Sequence, residues 1–355
     1  MFFGARQTAT VETRRTQRTQ RKPIRVAQLL LLLFPLRLRA LCVGLPFWLV
    51  AQGCSREPRP SAEAEGREPS AERREPLAVD HFGDTVRPPA RVERIVSLTP
   101  ATTEILFALG AGNRMVGRGE YDKWPSAALM IPDLGPGLRP NIEAVLATRP
   151  DIVFLYASQD NRSAAQRLRA AGIMTAAFKV DSIEQFDHTT RLIGQLIGDP
   201  AIGNVVADSV MRTLDSVRTL TASLRRVSVV IPVYQDPLLV IGGASFMSQL
   251  VHIAGGRNIY DSVPHPSPPV TFEDIVRRNP DAVLAGPEHG LTLRNSAKWR
   301  GVPAVRNGRV LFMDTSLVLR PATRLGEGAV SLARLLHPEL AHRSDSARRP
   351  PLRPR

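Results

Sequence analysis

The fold is decided by the stretch Asn141-Ile-Glu-Ala-Val-Leu-Ala-Thr-Arg-Pro-Asp-Ile-Val153, which returns in similar form as Thr271-Phe-Glu-Asp-Ile-Val-Arg-Arg-Asn-Pro-Asp-Ala-Val283. Each copy predicts a polar helix cap, an acidic first turn, about two helical turns, a Pro-Asp break and a strand. Glu143 and Glu273 hold the same place in the two copies. The copies lie too far apart along the chain for a solenoid repeat. The sequence therefore predicts two similar α/β lobes, each with one glutamate at the same position.

A single long helix is predicted between the two copies, from about residue 201 to about residue 224. Its apolar residues recur at a spacing near 3.6, as in a helix that packs on one side. They are Ile202, Val205, Val206, Val210, Leu214, Val217 and Leu224. At 1.5 Å per residue the helix would be roughly 36 Å long. We expect it to act as a stiff spacer between the lobes.

The positive charge of this 355-residue chain is concentrated at its ends. The net charge is +14, of which residues 1–53 contribute +8 and residues 338–355 contribute +3. The body is therefore close to neutral and has no basic stripe of the kind that binds nucleic acid. Both cysteines, Cys42 and Cys54, precede the body, which excludes a disulfide framework or a cysteine-based metal site there.

The N-terminal segment, residues 1–54, is predicted to be an export leader. A basic flank precedes apolar runs, and the second run ends in Val50-Ala-Gln-Gly-Cys54, which resembles a bacterial lipoprotein signal. Cys54 is the expected lipid anchor, with an uncleaved membrane anchor or cleavage without a lipid as alternatives. Residues 55–90 are rich in Arg, Glu, Pro, Ala and Ser, and are predicted to be a disordered linker. Residues 339–355 are predicted to be a basic, disordered tail.

Aromatic residues are scarce in this chain, but two of them share one loop, at Tyr121 and Trp124. Tyr156 stands at the end of a predicted strand, a place where open α/β sheets bind ligands. The turn Thr99–Thr103 also follows a strand and begins a helix. Each feature alone is equally consistent with ordinary packing or with a capped turn.

Taken in order, several short motifs resemble the substrate-binding proteins of ABC importers for cobalamin, ferric siderophores and haem. The resemblance covers about residues 91–338. It rests on Ile95-Val-Ser-Leu-Thr-Pro-Ala-Thr-Thr-Glu104, Glu143…Arg149-Pro-Asp151, Gly242-Gly…Ala254-Gly-Gly-Arg-Asn258, Glu273…Asn279-Pro-Asp281, Asn307-Gly-Arg-Val310 and Arg320-Pro…Arg324.

The resemblance implies an α/β fold of two pseudo-symmetric lobes bridged by a single long backbone helix, with the ligand cleft between them. The expected boundaries are an N-terminal lobe at 91–199, the backbone helix at 200–224 and a C-terminal lobe at 225–338. In the family, one glutamate on each lobe docks onto the permease, and those positions match Glu143 and Glu273. The alternative is that both carboxylates only complement a helix N-terminus.

The family also implies ligand-binding positions in the cleft. Tyr121, Trp124 and Tyr156 fall where cobalamin binders place aromatic residues, and Arg320 falls where an arginine often lies near the ligand. Tyr234, just past a strand of the second lobe, is predicted to belong with them. A tryptophan expected shortly before Glu143 is absent, and Gly137 stands near that place. His265, in a proline-rich loop, is a candidate metal ligand, with simple surface exposure as the alternative.

The resulting hypothesis is a lipid-anchored, monomeric binding protein that captures cobalamin and delivers it to an ABC permease dimer with ATPase subunits. A ferric siderophore or haem is the alternative ligand within the family. No resident cofactor and no nucleic acid are expected. An enzyme or metal-handling protein on this scaffold is a different possibility, and a purely structural envelope lipoprotein is a third. The body has no paired histidines at ligand spacing, no P-loop and no serine-nucleophile motif to favour an enzyme.

Overall fold

The N-terminal lobe is a parallel sheet covered by helices, in a computed structural model that describes residues 78–340. Its elements are β1 (Ala78–Val79), β2 (Thr85–Val86), β3 (Ile95–Ser97), α1 (Pro100–Ala108), β4 (Met115–Arg118), α2 (Ile142–Ala147), β5 (Ile152–Tyr156), α3 (Gln159–Ala170), β6 (Met174–Phe178) and α4 (Ile183–Leu196). Short 3-10 helices occur at Gly112–Arg114 and Ser126–Met130.

The long helix α5 (Pro200–Thr221) leads to the C-terminal lobe, which has the same architecture. Its elements are β7 (Val227–Val230), β8 (Pro232–Gln235), β9 (Leu238–Val240), α6 (Phe246–Ile253), β10 (Gly256–Asn258), α7 (Phe272–Arg278), β11 (Ala282–Ala285), α8 (Pro287–Asn295), α9 (Pro303–Arg306), β12 (Val310–Phe312), α10 (Thr315–Val318) and α11 (Leu325–Leu336). A 3-10 turn lies at Trp299–Gly301.

The two main sheets share one strand order. The N-lobe sheet runs β4-β3-β5-β6 and the C-lobe sheet runs β10-β7-β11-β12, so each has the order 2-1-3-4 in its own lobe. All neighbours in both sheets are parallel. The central strands are buried on both faces, as expected for parallel sheets covered by helices. The predicted α/β fold with two pseudo-symmetric lobes is confirmed.

The two copies of the repeat, residues 141–153 and 271–283, match in backbone detail. Asn141 and Thr271 cap α2 and α7, each accepting from the backbone N–H three residues further on, at 3.1 and 3.2 Å. Just beyond the helices, Arg149 and Asn279 have φ of 47° and 43°. These two are the only non-glycine residues with positive φ in the part of the chain that the structure describes. The two copies therefore end their helices in the same uncommon conformation.

The aspartate of each Pro-Asp break ties its repeat to the start of the first strand in the main sheet of its own lobe. Asp151 Oδ2 accepts the backbone N–H groups of Glu93 and Arg94 at 2.7 and 2.8 Å. Asp281 Oδ2 accepts both the backbone N–H and the hydroxyl of Ser228 at 2.8 Å. The duplication thus extends to the hydrogen bonds that set the position of each helix against its sheet.

The helix α5 is part of the core of both lobes. Its buried residues Leu214 and Val217 belong to one apolar cluster with Ile95 of the N-lobe sheet and Val229 of the C-lobe sheet. The helix ends at Thr221, slightly before the predicted end, and its length is about 33 Å. Its apolar side is packed along both lobes, and the role of α5 as a stiff spacer stays a prediction.

The predicted disordered linker, residues 55–90, is wrong at its C-terminal end. Ala78–Val79 and Thr85–Val86 pair as an antiparallel hairpin, and Val86 is fully buried. Asp80, only 4% exposed, accepts backbone N–H groups from Phe82 at 2.9 Å and from Ala177 of β6 at 3.1 Å. A buried aspartate that organises a turn was not anticipated in so polar a stretch.

A smaller difference concerns the end of the C-terminal lobe. Leu340 is buried at 7% exposure, so the predicted disordered tail, 339–355, is wrong at its first residues. The leader, the rest of the linker and residues 341–355 lie outside the described residues.

Candidate functional site

Two of the predicted ligand-binding tyrosines share one pocket at the carboxyl ends of the N-lobe strands. Tyr156 is the last residue of β5, and Tyr121 lies in the loop that follows β4. Both line a cavity of about 380 Å³, which we call the N-lobe pocket. The other residues that line it are Leu98, Thr99, Pro100, Gly119, Asp122, Pro136, Gly137 and Leu138. Open α/β sheets bind ligands at this edge, which makes the N-lobe pocket the candidate site.

The two tyrosines present their rings differently. Tyr121 is exposed at 63%, so its ring is free to lie against a ligand. Tyr156 is half-buried, and its hydroxyl donates to Asp181, with oxygen–oxygen distances of 2.8 and 3.0 Å. Burial, together with Asp181, raises the pKa of the Tyr156 phenol well above its ordinary value. Tyr156 therefore remains a neutral, fixed wall of the pocket.

Gly137 explains why no tryptophan stands at this point of the chain. A Cβ built on Gly137 would lie 1.9 Å from the carbonyl oxygen of Leu98, which is far inside van der Waals contact. The backbone at Gly137 therefore passes directly against the end of β3. Any side chain there would force the two segments apart, so the pocket is lined by main chain at this position.

Asp122 is a buried carboxylate in the wall of the same pocket, and its role was not predicted from the sequence. It is 1% exposed. Its Oδ2 accepts the hydroxyl of Thr103 at 2.6 Å and the N–H of Gly119 at 3.1 Å. Burial raises its pKa to about 6, although these hydrogen bonds and the charges of Arg118 and Arg320 oppose the change. A clue was present in the sequence, because an acidic residue directly follows Tyr121 in the aromatic loop.

Arg320, predicted to bind ligand, forms an ion pair between the lobes. Its Nε–H donates to Oε1 of Glu104 at 2.6 Å. Glu104 lies on α1 of the N-lobe and is 4% exposed, and burial raises the pKa of its carboxyl group while Arg320 opposes that rise. The Arg320 side chain is 32% exposed, and the bond to Glu104 engages only its Nε. In the sequence Glu104 is only the last residue of a motif, and its charge partner cannot be predicted from that motif.

Trp124 also takes part in a contact between the lobes. The guanidinium of Arg324 lies over its ring, 4.3 Å from the centroid, and Arg324 is also paired with Glu327 at 3.0 Å. Trp124 is 42% exposed and does not line the N-lobe pocket. The structure therefore separates Trp124 from Tyr121, although both belong to one loop.

Tyr234 lies on the hairpin formed by β8 and β9 of the C-lobe, outside the N-lobe pocket. Its side chain is 57% exposed. The next residue, Gln235, anchors the hairpin, because its side chain accepts from the indole N–H of Trp299 at 3.0 Å and meets His289 at 2.7 Å. Tyr234 therefore lies at the surface, on a hairpin that the hydrogen bonds of Gln235 hold in place.

A second cavity, of about 360 Å³, lies where α4, α5 and α6 meet. Gln249 spans the lobes beside it, accepting the N–H of Ile183 at 3.3 Å and donating to Glu184 at 3.2 Å. Its walls carry charges of both signs, including Arg218 and Asp261. No phenylalanine, tyrosine or tryptophan lines this cavity, and we therefore place the candidate ligand site in the N-lobe pocket.

Glu143 and Glu273, the predicted docking residues, are both exposed. Each stands in the first turn of its helix, α2 or α7. The pKa of Glu273 is lowered mainly by its own backbone N–H and by Thr271, as expected near a helix N-terminus. The two glutamates therefore occupy equivalent surface positions in the two lobes. Their places in the first turns of α2 and α7 also suit a role in stabilising those helices.

Several predicted features are not part of this site. Cys54 lies outside the described residues. His265 is exposed, and its Nδ1 accepts from the N–H of Ser267 at 3.0 Å. Within residues 78–340, no group of three or more His, Cys, Asp or Glu side chains is placed to hold a metal ion. Over the same range, no helix has both the length and the apolar character needed to cross a membrane.

A comparison with known protein families identifies the family of this chain. A family model described as periplasmic binding protein matches residues 95–317, which is more than half of the sequence. The chain belongs to the periplasmic binding protein family. The match begins at β3 and ends within α10, so it includes both lobes and the backbone helix of this periplasmic binding protein.

Individual relatives are distant. A vitamin B12-binding protein of Vibrio vulnificus (strain CMCP6) is 23% identical over 239 residues, which is 66% of this chain and 86% of that protein. An uncharacterized ABC transporter substrate-binding lipoprotein of Bacillus subtilis (strain 168), YvrC, is 29% identical over 262 residues, covering 70% of this chain and 81% of its own length. The heme-binding protein RhuT of Roseiflexus sp. RS-1 superposes with a TM-score of 0.63 at 24% identity, covering 70% and 98% of the two chains. At that identity the structural likeness shows the fold alone.

Proposed function

We propose that this periplasmic binding protein is the substrate-binding component of an ABC importer and that it captures cobalamin in its cleft. The observation that carries the proposal is the N-lobe pocket, in which Tyr121 and Tyr156 form walls at the carboxyl edge of a parallel sheet. A flat macrocycle such as a corrin buries a large area against aromatic faces. The likeness to a vitamin B12-binding protein supports the same ligand. Binding without chemistry is the role we assign to the protein.

A haem or a ferric siderophore is the second candidate ligand. The observation that favours it is Arg320, because its guanidinium is 32% exposed and only its Nε is engaged by Glu104. The free N–H groups could pair with a propionate or another anionic oxygen of such a ligand. The structural likeness to a heme-binding protein is compatible with this alternative.

We propose that Glu143 and Glu273 are the contacts for a permease dimer that works with ATPase subunits. Both carboxylates are exposed, and each occupies the same position on its own pseudo-symmetric lobe. Two matched charges of this kind suit a partner with two-fold symmetry. They would set the orientation and the rate of docking more than its affinity.

We further propose that the protein is exported and held at the cell envelope through a lipid on Cys54. The lipoprotein-like end of the leader supports this, and YvrC is named as a lipoprotein. The protein would act as a tethered monomer, with the binding lobes joined to the anchor by the residues between Cys54 and the first hairpin. A Cys54→Ser variant should appear in the soluble fraction, and its retention in the membrane fraction would contradict lipid anchoring.

The ligand assignment is tested by calorimetry on the purified full-length protein with cyanocobalamin, haemin and a ferric siderophore. We expect tight binding of cyanocobalamin alone, weakened about tenfold or more by Tyr121→Ala or Tyr156→Ala. Tyr156→Phe is the matched control, because it keeps the ring and removes only the hydroxyl bonded to Asp181. Binding of haemin or the siderophore without cyanocobalamin would show the second candidate to be right.

A further inference from the structure

The hairpin of β1 and β2 covers the outer edge of the N-lobe sheet, where β6 is the last strand. Ala177 of β6 is bonded to this hairpin through both of its backbone groups. Its N–H donates to Asp80 Oδ2 at 3.1 Å, and its carbonyl oxygen accepts the N–H of His81 at 2.9 Å. Asp80 also pairs with Arg169, in the last turn of α3, at 3.4 Å. Two backbone contacts and an ion pair therefore hold an acidic segment on this edge.

The pseudo-symmetry of the lobes identifies the matching position in the C-lobe. Leu155 and Ala285 each stand two residues beyond the end of their copy of the repeat. Strand β12 is the edge strand of its sheet in the same way as β6. Ala177 lies opposite Leu155, and Phe312 of β12 lies opposite Ala285. Phe312 is therefore the C-lobe counterpart of Ala177.

The edge of the C-lobe sheet is open at Phe312. The carbonyl oxygen of Arg309 and the N–H of Met313 both bond to β11, each at 2.9 Å. Because successive residues of a strand turn their polar backbone groups to opposite edges, those of Phe312 point away from β11. Within residues 78–340 neither group has a hydrogen-bond partner, and Phe312 is 36% exposed whereas Ala177 is fully buried. An edge of this kind is a template for a further strand.

An arginine stands beside this edge, as Arg169 stands beside the edge of the N-lobe sheet. Arg294 lies in the last turn of α8, the helix that packs on β12. Its guanidinium is 5.8 Å from the centroid of the Phe312 ring. Arg294 is exposed, and no carboxylate pairs with it in the part of the chain that the structure describes. The C-lobe thus has both the strand edge and the arginine that bind an acidic segment in the N-lobe.

We propose that the edge of β12 at Phe312, together with Arg294, binds an acidic, extended segment of the permease, which adds as a strand beside β12. A carboxylate of that segment would accept the N–H of Phe312 and pair with Arg294. Asp80 makes the same two kinds of contact in the N-lobe. Main-chain hydrogen bonds and a charged pair are the usual chemistry of strand addition. The inference rests on the proposed function, because that function supplies the permease as a partner.

The surroundings of the edge favour the permease over other acidic proteins. Lys298, four residues beyond Arg294, places its ammonium 4.2 Å from the ring centroid of Phe272. Phe272 directly precedes Glu273, the proposed docking residue of this lobe. From residue 289 to residue 313 the chain has five Lys or Arg residues and no Asp or Glu. The basic segment that carries Arg294 therefore reaches the docking glutamate, and a partner bound there would meet positive charge beside the open edge.

The test measures the affinity of the purified full-length protein for the cognate permease–ATPase complex in nanodiscs, by biolayer interferometry. Phe312→Pro and Phe312→Ala both remove the ring, but only the proline removes the N–H that a partner strand needs. Proline is tolerated in edge strands where the N–H faces solvent. Arg294→Glu reverses the cation, and Arg167→Glu is its matched control, because Arg167 is exposed and stands in the last turn of α3. Thermal unfolding shows whether each variant is folded.

We expect Phe312→Pro to bind the complex about fivefold or more weakly than Phe312→Ala. Arg294→Glu should bind about tenfold or more weakly than Arg167→Glu. Equal affinity within either pair overturns strand addition at β12. If Glu143→Arg with Glu273→Arg still abolishes binding in that case, the docking function stands. No binding of the unaltered protein to the complex overturns both proposals.

A second measurement identifies the bound segment and does not depend on the folding of the proline variant. The photoreactive residue p-benzoylphenylalanine, in place of Phe312, is irradiated in the assembled complex, and the cross-linked peptides are identified by mass spectrometry. We expect a cross-link to an acidic segment of the permease. Cross-links to lipid alone, to a second copy of this chain or to a segment without Asp or Glu overturn the proposal.

Discussion

The Nε–H of Arg320 donates to Oε1 of Glu104 at 2.6 Å, and this bond joins the C-lobe to the first helix of the N-lobe. The pair is asymmetric, because Glu104 is almost fully buried and Arg320 is one-third exposed. Next to it, Arg324 covers Trp124, again across the lobes. On another side, Gln249 bonds to the start of α4. The lobes are thus connected by side chains as well as by α5.

We predict that Glu104→Gln weakens the coupling between the lobes. Breaking a fully buried ion pair costs about 3–5 kcal/mol, but exposure of Arg320 to water reduces this to about 1–2 kcal/mol. The free energy of unfolding, measured in urea, should fall by that amount. Glu93→Gln breaks the exposed pair with Arg91 and should change it by less than about 1 kcal/mol.

A double-mutant cycle separates the interaction free energy of Arg320 with Glu104 from the effects of each residue on its other neighbours. If Arg320 and Glu104 stabilise each other, Arg320→Gln in the Glu104→Gln background should cost less than it does alone. A coupling free energy near zero would show that Glu104 matters only through its burial in α1.

Asp122 leads to a prediction about pH and stability. Its pKa rises from an ordinary 3.8 to about 6 on folding, so the folded state holds this proton more tightly than the unfolded state. The free energy of unfolding therefore falls as pH rises through this window and is lowest above it. Between pH values well below 3.8 and well above 6, this group changes the free energy of unfolding by about 3 kcal/mol.

Asp122→Asn removes the free-energy cost of burying an ionised carboxylate. We expect the variant to be more stable than the unaltered protein at neutral pH, by about 1–3 kcal/mol. The gain should shrink as pH falls to about 4. Urea unfolding across this pH range measures the difference between the two proteins, which cancels the other titrating groups. A difference independent of pH would mean that folding does not raise the pKa of Asp122.

The repeat explains how much of the fold was predictable. A cap, an acidic turn and a Pro-Asp break are local signals, and the structure has them at Asn141 and Thr271 with the same hydrogen bond. The hairpin at Ala78–Val86 was missed because its burial depends on contacts with β6, remote in sequence. Sequence patterns report local periodicity and do not report which distant strand covers a segment.

The site was less predictable than the fold for the same reason. Tyr121 and Tyr156 were found because each is a large aromatic residue beside a predicted strand end. Asp122 and Glu104 were missed because their importance comes from burial and from partners such as Arg320, 216 positions away from Glu104. Residue type and spacing carry no information about the burial of a charge.

Gly137 is predicted to be essential to the shape of the N-lobe pocket. Gly137→Ala would place a Cβ 1.9 Å from the Leu98 carbonyl oxygen, so β3 and the loop must separate. We expect a loss of about 2 kcal/mol or more in the free energy of unfolding, together with weaker ligand binding. Gly301→Ala is the control, because its added methyl group meets nothing within 4 Å. Equal effects of the two substitutions would contradict this account of the pocket.

The last prediction concerns docking by Glu143 and Glu273. Reversing both charges, by Glu143→Arg with Glu273→Arg, should abolish ligand uptake in cells that express the cognate permease. Ligand affinity in solution should be unchanged, because both side chains are exposed and lie outside the N-lobe pocket. Uptake of labelled ligand and calorimetry measure the two quantities separately.

The matched control decides whether docking or helix stability is affected. Asp160→Arg with Glu288→Arg reverses one exposed acidic residue in each lobe, and both residues also stand in the first turn of a helix, α3 and α8. If Glu143 and Glu273 only complement helix dipoles, the two double variants should lose similar stability and have similar uptake. If they contact the permease, only the first variant should lose uptake while both remain folded and bind ligand. Normal uptake in the first variant therefore refutes the docking role directly.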